Sequence, residues 1–280
     1  MIKRIVTAFL LACIIVAAGY IIAGKNPLEK KPSASAAPIQ KGKPISEQYN
    51  EVHEENFQRA KDLVAAGSDL DAVYADGETL LISALRKNDY KTVKYLVEHG
   101  ADMSAEGRYG NAVIVAAYTR RFDMLKYFIE HGTDINQISN GLTPLCSVAD
   151  AGNIEMAEYL LSKGALIDKR CINDTTPLFR AAEKKKGEMM KLFIKNGADV
   201  NGKVRNGMTE LSSVALSGYL DGVKILLDNG AQVNGTTKGN GTTLDWLVAN
   251  MREDNNYKEI ALYIKSRGGQ INLKSNQNKI

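Results

Sequence analysis

Histidine and tryptophan are nearly absent from this 280-residue chain, at three copies and one. Two of the histidines, His99 and His131, stand one residue before a glycine that closes an apolar run. There they complement the negative end of a helix or cover its last carbonyls. His53 lies in a charged segment with no neighbour that suggests a triad or a metal, and no Cys/His cluster has zinc spacing. The glycine-rich run Thr236–Gly241 lacks the preceding strand and following helix of a phosphate loop. An enzyme reading therefore fails for want of parts, and neither cofactor, metal nor small-molecule substrate is expected.

Cysteine is scarce too. Of the three, Cys13 sits in an N-terminal apolar run, which leaves Cys146 and Cys171. An even number leaves a disulfide open, although unpaired buried cysteine is the commoner case. Proline is rare after residue 44, because Pro27, Pro32, Pro38 and Pro44 are four of only six. A surplus of either charge is missing as well. Residues 1–44 hold seven Lys/Arg against Glu29 alone, and the remainder holds 29 basic and 31 acidic residues. A near-neutral remainder gives no general pull on nucleic acid, which excludes that class of partner.

The start of the chain is basic (Lys3, Arg4) and runs into an apolar stretch, residues 5–23. Nineteen residues of helix span about 29 Å, close to the hydrocarbon core of a bilayer. A signal-anchor helix fits that length best. A cleaved signal peptide is the second reading, with Ala17-Ala18-Gly19 or Ala34-Ser35-Ala36 as cleavage points. A third comes from Leu10-Leu11-Ala12-Cys13, which is similar to a bacterial lipobox, but the residues after Cys13 stay apolar. All three imply export. The expected location is the cell envelope, either anchored in the inner membrane with an extracytoplasmic domain or released to the periplasm. Residues 25–44, rich in Pro, Lys, Ser and Ala, form a linker that reaches roughly 60 Å when extended. The expected division is 1–24 anchor or signal, 25–44 linker, 45–280 folded domain.

What the chain has in quantity is a repeat. Gly197-Ala198-Asp199-Val200-Asn201 recurs as Gly100-Ala101-Asp102-Met103-Ser104, Gly132-Thr133-Asp134-Ile135-Asn136, Gly164-Ala165-Leu166-Ile167-Asp168 and Gly230-Ala231-Gln232-Val233-Asn234. With weaker copies at Gly67 and Gly268, the intervals are 33, 32, 32, 33, 33 and 38 residues. Such a period marks a solenoid. Each glycine follows a helical apolar pattern and ends it. Asp76-Gly77, Asn140-Gly141 and Asn206-Gly207 predict tight hairpin turns. Thr79, Thr143, Thr176 and Thr209 follow, placed to cap a short helix, and Pro144 and Pro177 stand in the first turn. Tyr95, Tyr127 and Tyr159, 32 residues apart, predict a packing ridge on the second helix of each unit.

Together, Asn/Asp-Gly, Thr-Pro-Leu, Ala-Ala, paired leucines and Gly-Ala-Asp-Val-Asn resemble the ankyrin repeat family. The resemblance runs from residue 57 to 272, as six repeats after an N-terminal half-repeat. It implies a mainly α solenoid in which β-hairpin fingers alternate with α-hairpins, here preceded by an N-terminal apolar helix, and it implies a protein partner. There are departures: Asn111-Ala112-Val113-Ile114 replaces Thr-Pro-Leu, and Glu210 stands for proline.

By position in the repeat, the candidate partner-binding residues are Arg108, Tyr109, Asn140, Arg170, Asn173, Lys203, Arg205, Asn206 and Lys238 on the fingers. Arg86, Tyr118, Thr119, Asp150 and Lys184 belong to the exposed ends of the first helices. Tyr109 and Tyr118 are candidate hot spots, being large and amphipathic on a polar surface. Lys169, Arg170, Lys203, Arg205 and Lys238 form a basic run, which predicts a partner with an acidic face. An inhibitor of an envelope-acting toxin or enzyme, or an envelope scaffold, is the alternative role.

Overall fold

Each inner helix is seven or eight residues long and starts at a capped turn. The side-chain oxygens of Thr79, Thr143, Thr176 and Thr209 accept the N–H three residues on, at 3.0–3.3 Å. In the unit that lacks the threonine, Asn111 does the same for Ile114 at 3.1 Å. A computed structural model describes residues 45–204, 207–237, 241–250 and 255–272. The apolar run 5–23 and the linker 25–44 lie outside the described residues, as do Arg205, Asn206 and Lys238. Among the described residues, no helix is long and apolar enough to cross a membrane.

One long helix, α1 (Ile45–Ala65), is followed by pairs of an inner and an outer helix. The inner ones are α2 (Leu80–Arg86), α4 (Ala112–Tyr118), α6 (Pro144–Ala151), α8 (Pro177–Glu183), α10 (Glu210–Leu216) and α12 (Thr243–Asn250). The outer ones are α3 (Tyr90–Glu98), α5 (Phe122–Glu130), α7 (Ile154–Ser162), α9 (Gly187–Lys195), α11 (Leu220–Asp228) and α13 (Asn255–Ser266). Inner helices are buried on nearly every side; in α4 only Tyr118 escapes. Outer helices bury one stripe, such as Met124, Leu125 and Phe128, and keep the other face in water. Each such leucine or phenylalanine contributes about 1.5–3 kcal/mol.

The outer helices end as the repeat requires. Gly100, Gly132, Gly164, Gly197 and Gly230 have φ between 88° and 93°. The next N–H turns back onto the helix, as from Ala198 to the Phe193 carbonyl at 3.0 Å. His99 and His131 place Nδ1 2.7 Å from the carbonyls of Tyr95 and Tyr127. Asn196 and Asn229 serve their helices in the same way. The tyrosine ridge is packing: Phe57 meets Tyr95, and Phe122 meets Tyr159, edge to face at 5.3 and 5.6 Å.

Two expectations need correction. The fingers are not β-hairpins, since among the described residues they form isolated bridges only, as at Ser139 with Leu142. The turn itself is as expected, with positive φ at both Asn140 (48°) and Gly141 (74°). The arms are too short to continue the pairing, so each finger leans on the next. The N–H groups of Arg108 and Ile172 bond the carbonyls of Gly77 and Gly141, at 2.6 and 2.5 Å. A Cβ on Gly141 would lie 2.9 Å from that of Ile172, so only glycine fits. The second correction concerns the cysteines. Cys146 and Cys171 form a disulfide across 25 residues, because the fourth finger folds back against the start of α6.

Side chains of the repeated motif join one unit to the next. The carboxylate or amide oxygens of Asp71, Asn136, Asn201 and Asn234 accept the N–H of Asp102, Leu166, Gln232 and Gln270 at 2.7–2.8 Å. Asp168 does so for Asp199 at 3.3 Å. Asn136 and Asn201 also donate to the carbonyls of Gly164 and Gly230. The rung from Ser104 is missing: its hydroxyl bonds Asp102 in its own motif instead.

Glu210, in place of the expected proline, is 1% exposed at the start of α10. Thr176 of the preceding unit donates to its Oε1 at 2.5 Å, and Oε2 has no partner among the described residues. Asp168 and Asp199 repel the ionised form, and Arg170 only partly offsets them. Burial, the largest cause, pushes the carboxyl up to about 8.

Two predictions follow from this packing. Asn201→Ala removes an acceptor and a donor between adjacent units and costs about 1–3 kcal/mol. Thermal unfolding reads this as a lower Tm, and an unchanged Tm would show that the rungs carry no load. For Glu210, the carboxyl is neutral in folded and unfolded chains alike below pH 4.5, and its contribution to stability is complete there. From there to about 8 the unfolded chain releases a proton that the folded one keeps, so stability declines with rising pH and this contribution is gone above about 8. Glu210→Gln flattens that decline and raises Tm at roughly pH 9 relative to the parent, by up to several kcal/mol in stability. Parallel pH profiles would contradict this.

Candidate functional site

The finger tips and the C-terminal ends of the inner helices border one face of the stack. On it, the second and third fingers and the ends of α2 and α4 enclose a cradle of about 390 Å³. Arg86, Tyr109, Ile114, Val115, Tyr118, Thr119, Asn140 and Leu142 line it. Tyr109 and Tyr118 are 49% and 61% exposed, unusual because the other aromatic rings among the described residues are largely packed.

The cradle is built by ordinary local rules. Gly107 and Gly110 bound the second finger, and the 98° φ of Gly110 lifts Tyr109 outward. The N–H of Asn111 bonds the Ser139 hydroxyl at 2.8 Å, which ties that finger to the third. Asn140 then reaches the rim from the left-handed turn. Tyr118 is the last residue of α4, where the buried run ends. Arg86 is the last residue of α2, and the buried carboxylate of Glu78 holds its guanidinium. That guanidinium lies 4.9 Å from the centre of the Tyr109 ring, and Arg108 lies 5.8 Å from it. Stacking of this kind orients the ring and keeps both charges beside it.

Of the residues expected from sequence, Arg86, Tyr109, Tyr118, Thr119 and Asn140 meet in the cradle, and Arg108 lies beside the Tyr109 ring. Lys184 and Lys203 are exposed at other units, on the end of α8 and in the fifth finger. Asn173 is exposed in the left-handed turn of the fourth finger, with φ 60°. Arg170 is differently employed. Its Nη1 donates to the carbonyls of Asp174 and Lys203, each at 2.7 Å, and pairs with the Asp174 carboxylate at 3.2 Å. It braces the fourth finger against the fifth. Asp150, on the end of α6, is taken by Arg180 of the next unit, which binds both its oxygens. Arg205, Asn206 and Lys238 lie outside the described residues.

Sequence position alone missed the apolar floor, Ile114, Val115 and Leu142. One signal was present. Four residues after each capping side chain stand Ser83, Val115, Ser147, Arg180 and Ser213, and only Val115 is aliphatic. Among the described residues, no group of three or more His, Cys, Asp or Glu side chains is placed to hold a metal ion. The cradle has a single ionisable group other than tyrosine in its lining, Arg86.

Comparison with known proteins agrees with this geometry. The family description "Ankyrin repeats (3 copies)" matches residues 51–139, 104–171, 136–204 and 166–237, well over half of the chain. Among solved structures, this chain is similar to the ankyrin repeat domain of Bcl-3, described as a unique member of the IkappaB protein family. The TM-score is 0.62 at 25% identity, over 76% of this chain and 96% of that one. In all, 546 solved chains match, so the likeness fixes the fold and selects no partner. No curated protein sequence matches. The chain belongs to the ankyrin repeat family.

Proposed function

We propose that this protein is an exported, envelope-associated ankyrin-repeat solenoid that binds a protein partner through its fingers and inner-helix ends, without catalysis. The observation that carries the reading is the exposed pair Tyr109 and Tyr118 around an apolar cradle. Aromatic and arginine side chains at a cleft are the usual centres of binding energy. The lining offers no carboxylate or histidine to act as acid or base, which favours recognition over chemistry.

Export is supported by the basic start and the apolar run 5–23, and by the Cys146–Cys171 disulfide, since such bonds persist in oxidising compartments. The linker 25–44 suits a domain held clear of a membrane. An acidic face on the partner is supported by exposed Arg108 on the second finger and exposed Lys203 on the fifth.

Photo-crosslinking from position 118 in intact source cells, followed by mass spectrometry, tests the reading. The expected product is an adduct with a specific protein that a probe at Lys191, on an outer helix, does not give. One tight partner indicates an inhibitor, whereas several weak ones indicate a scaffold. The same preparation is expected to contain the oxidised cysteine pair and residues 1–24 in the membrane fraction. Free thiols in rapidly alkylated cells would count against export. With the partner in hand, Arg108→Glu together with Lys203→Glu should weaken binding roughly tenfold at low salt and much less at high salt. Unchanged affinity would discard the acidic face.

A further inference from the structure

We propose that the cradle between the second and third fingers receives one large apolar side chain of the partner together with a carboxylate beside it, both from an extended acidic segment. This rests on the protein-binding reading above and gives it a chemical class of ligand.

The shape argues for a side chain rather than a helix or a flat surface. The cavity is about 390 Å³ and is lined in part by the exposed Tyr109, Tyr118 and Asn140. A helix with its side chains is about 10–12 Å across and does not enter a space of that size. The floor of Ile114, Val115 and Leu142 offers nothing polar, because these side chains carry no donor or acceptor. The Thr119 hydroxyl already donates to the Val115 carbonyl at 2.6 Å. An apolar group is therefore what the floor can bind without leaving a polar atom unmet.

The rim sets the charge. Arg86 and Arg108 both lie within 6 Å of the centre of the Tyr109 ring, at 4.9 and 5.8 Å, and no carboxylate belongs to the lining. Glu78 engages Arg86 from beneath, which fixes the guanidinium in place. The Arg86 side chain keeps 46% of its surface in solvent, so donors remain for an incoming carboxylate. The same positive rim disfavours the chain's own first 44 residues, which carry seven basic side chains and one acidic. An acidic segment of a partner protein is the better match in charge.

The test uses the purified full chain in detergent micelles and fluorescein-labelled octapeptides read by anisotropy. One peptide has tryptophan flanked by glutamates, a second has the same tryptophan flanked by lysines, and a third replaces tryptophan with alanine between glutamates. The first is expected to bind at least about tenfold more tightly than the other two at low salt. Tyr118→Ala should lower its affinity by about tenfold or more, and Arg108→Glu should erase the preference for glutamate. Tyr118 and Arg108 are exposed, so these variants are expected to keep the parent Tm. Arg86 is left intact, because its removal strands the buried Glu78 carboxylate. Absence of binding up to about 1 mM, or affinity insensitive to Tyr118→Ala, overturns the proposal. If position 118 still crosslinks to a cellular partner in that event, protein binding stands and only the cradle's ligand is wrong. If it does not, the broader reading falls with it.

Discussion

A stack of short helix pairs is held together by contacts between adjacent units, so everything depends on how one unit grips the next. In this chain much of that grip is a row of Asp and Asn side chains in the repeated motif, each accepting an N–H from the following copy. Apolar burial by both helices of each pair supplies most of the energy, but apolar contact is not directional. The rungs are directional, and they set the register at which one motif meets the next. Asparagine at Asn136 and Asn201 also donates to a glycine carbonyl, which a carboxylate cannot do. The aspartate rungs carry a cost as well: burial raises the carboxyls of Asp71 and Asp168, while the N–H they accept lowers them. The amide gives the same bond without a charge to desolvate.

The division between what sequence showed and what it hid follows from range. Capping threonines, closing glycines and the Asn140-Gly141 turn are set by neighbours within five residues, and all were legible. The substitute cap at Asn111 was visible only as a departure, although its side chain performs the same act as threonine. Interactions across units were hidden. Nothing local says that Arg170 reaches the Lys203 carbonyl, that Arg180 takes both oxygens of Asp150, or that Cys171 returns to Cys146. The β-hairpin expectation failed on length, because a turn with one bridging pair on either side is too short to make a strand.

Position in the repeat was a good guide to which residues reach the surface and a poor one to which remain available there. Arg170 was expected to meet a partner and instead meets the neighbouring finger. Glu210 was visible as a departure from proline and is a buried acid with one bond to Thr176. In both cases the position was legible and the side chain's bonding partner was not, since charges in a solenoid are answered about 30 residues away. Val115 is the converse: an aliphatic where other units carry serine or arginine, readable in the alignment of repeats, whose meaning needed the exposed aromatics around it.

The same logic says why the open surface lies in the second and third units. From the fourth unit on, the face is braced internally: the disulfide ties the fourth finger to α6, Arg170 ties it to the fifth, and Arg180 closes over Asp150. Each of these contacts uses a group that a partner would need. Toward the N-terminal side, Ser104 supplies no rung, and the second and third fingers are joined through Ser139 and Asn111 beneath the surface. The bond is made below, so Tyr109, Asn140 and the end of α4 are left facing out. Stability and recognition therefore draw on one row of positions, and a unit that spends them on its neighbour has little left to offer a partner.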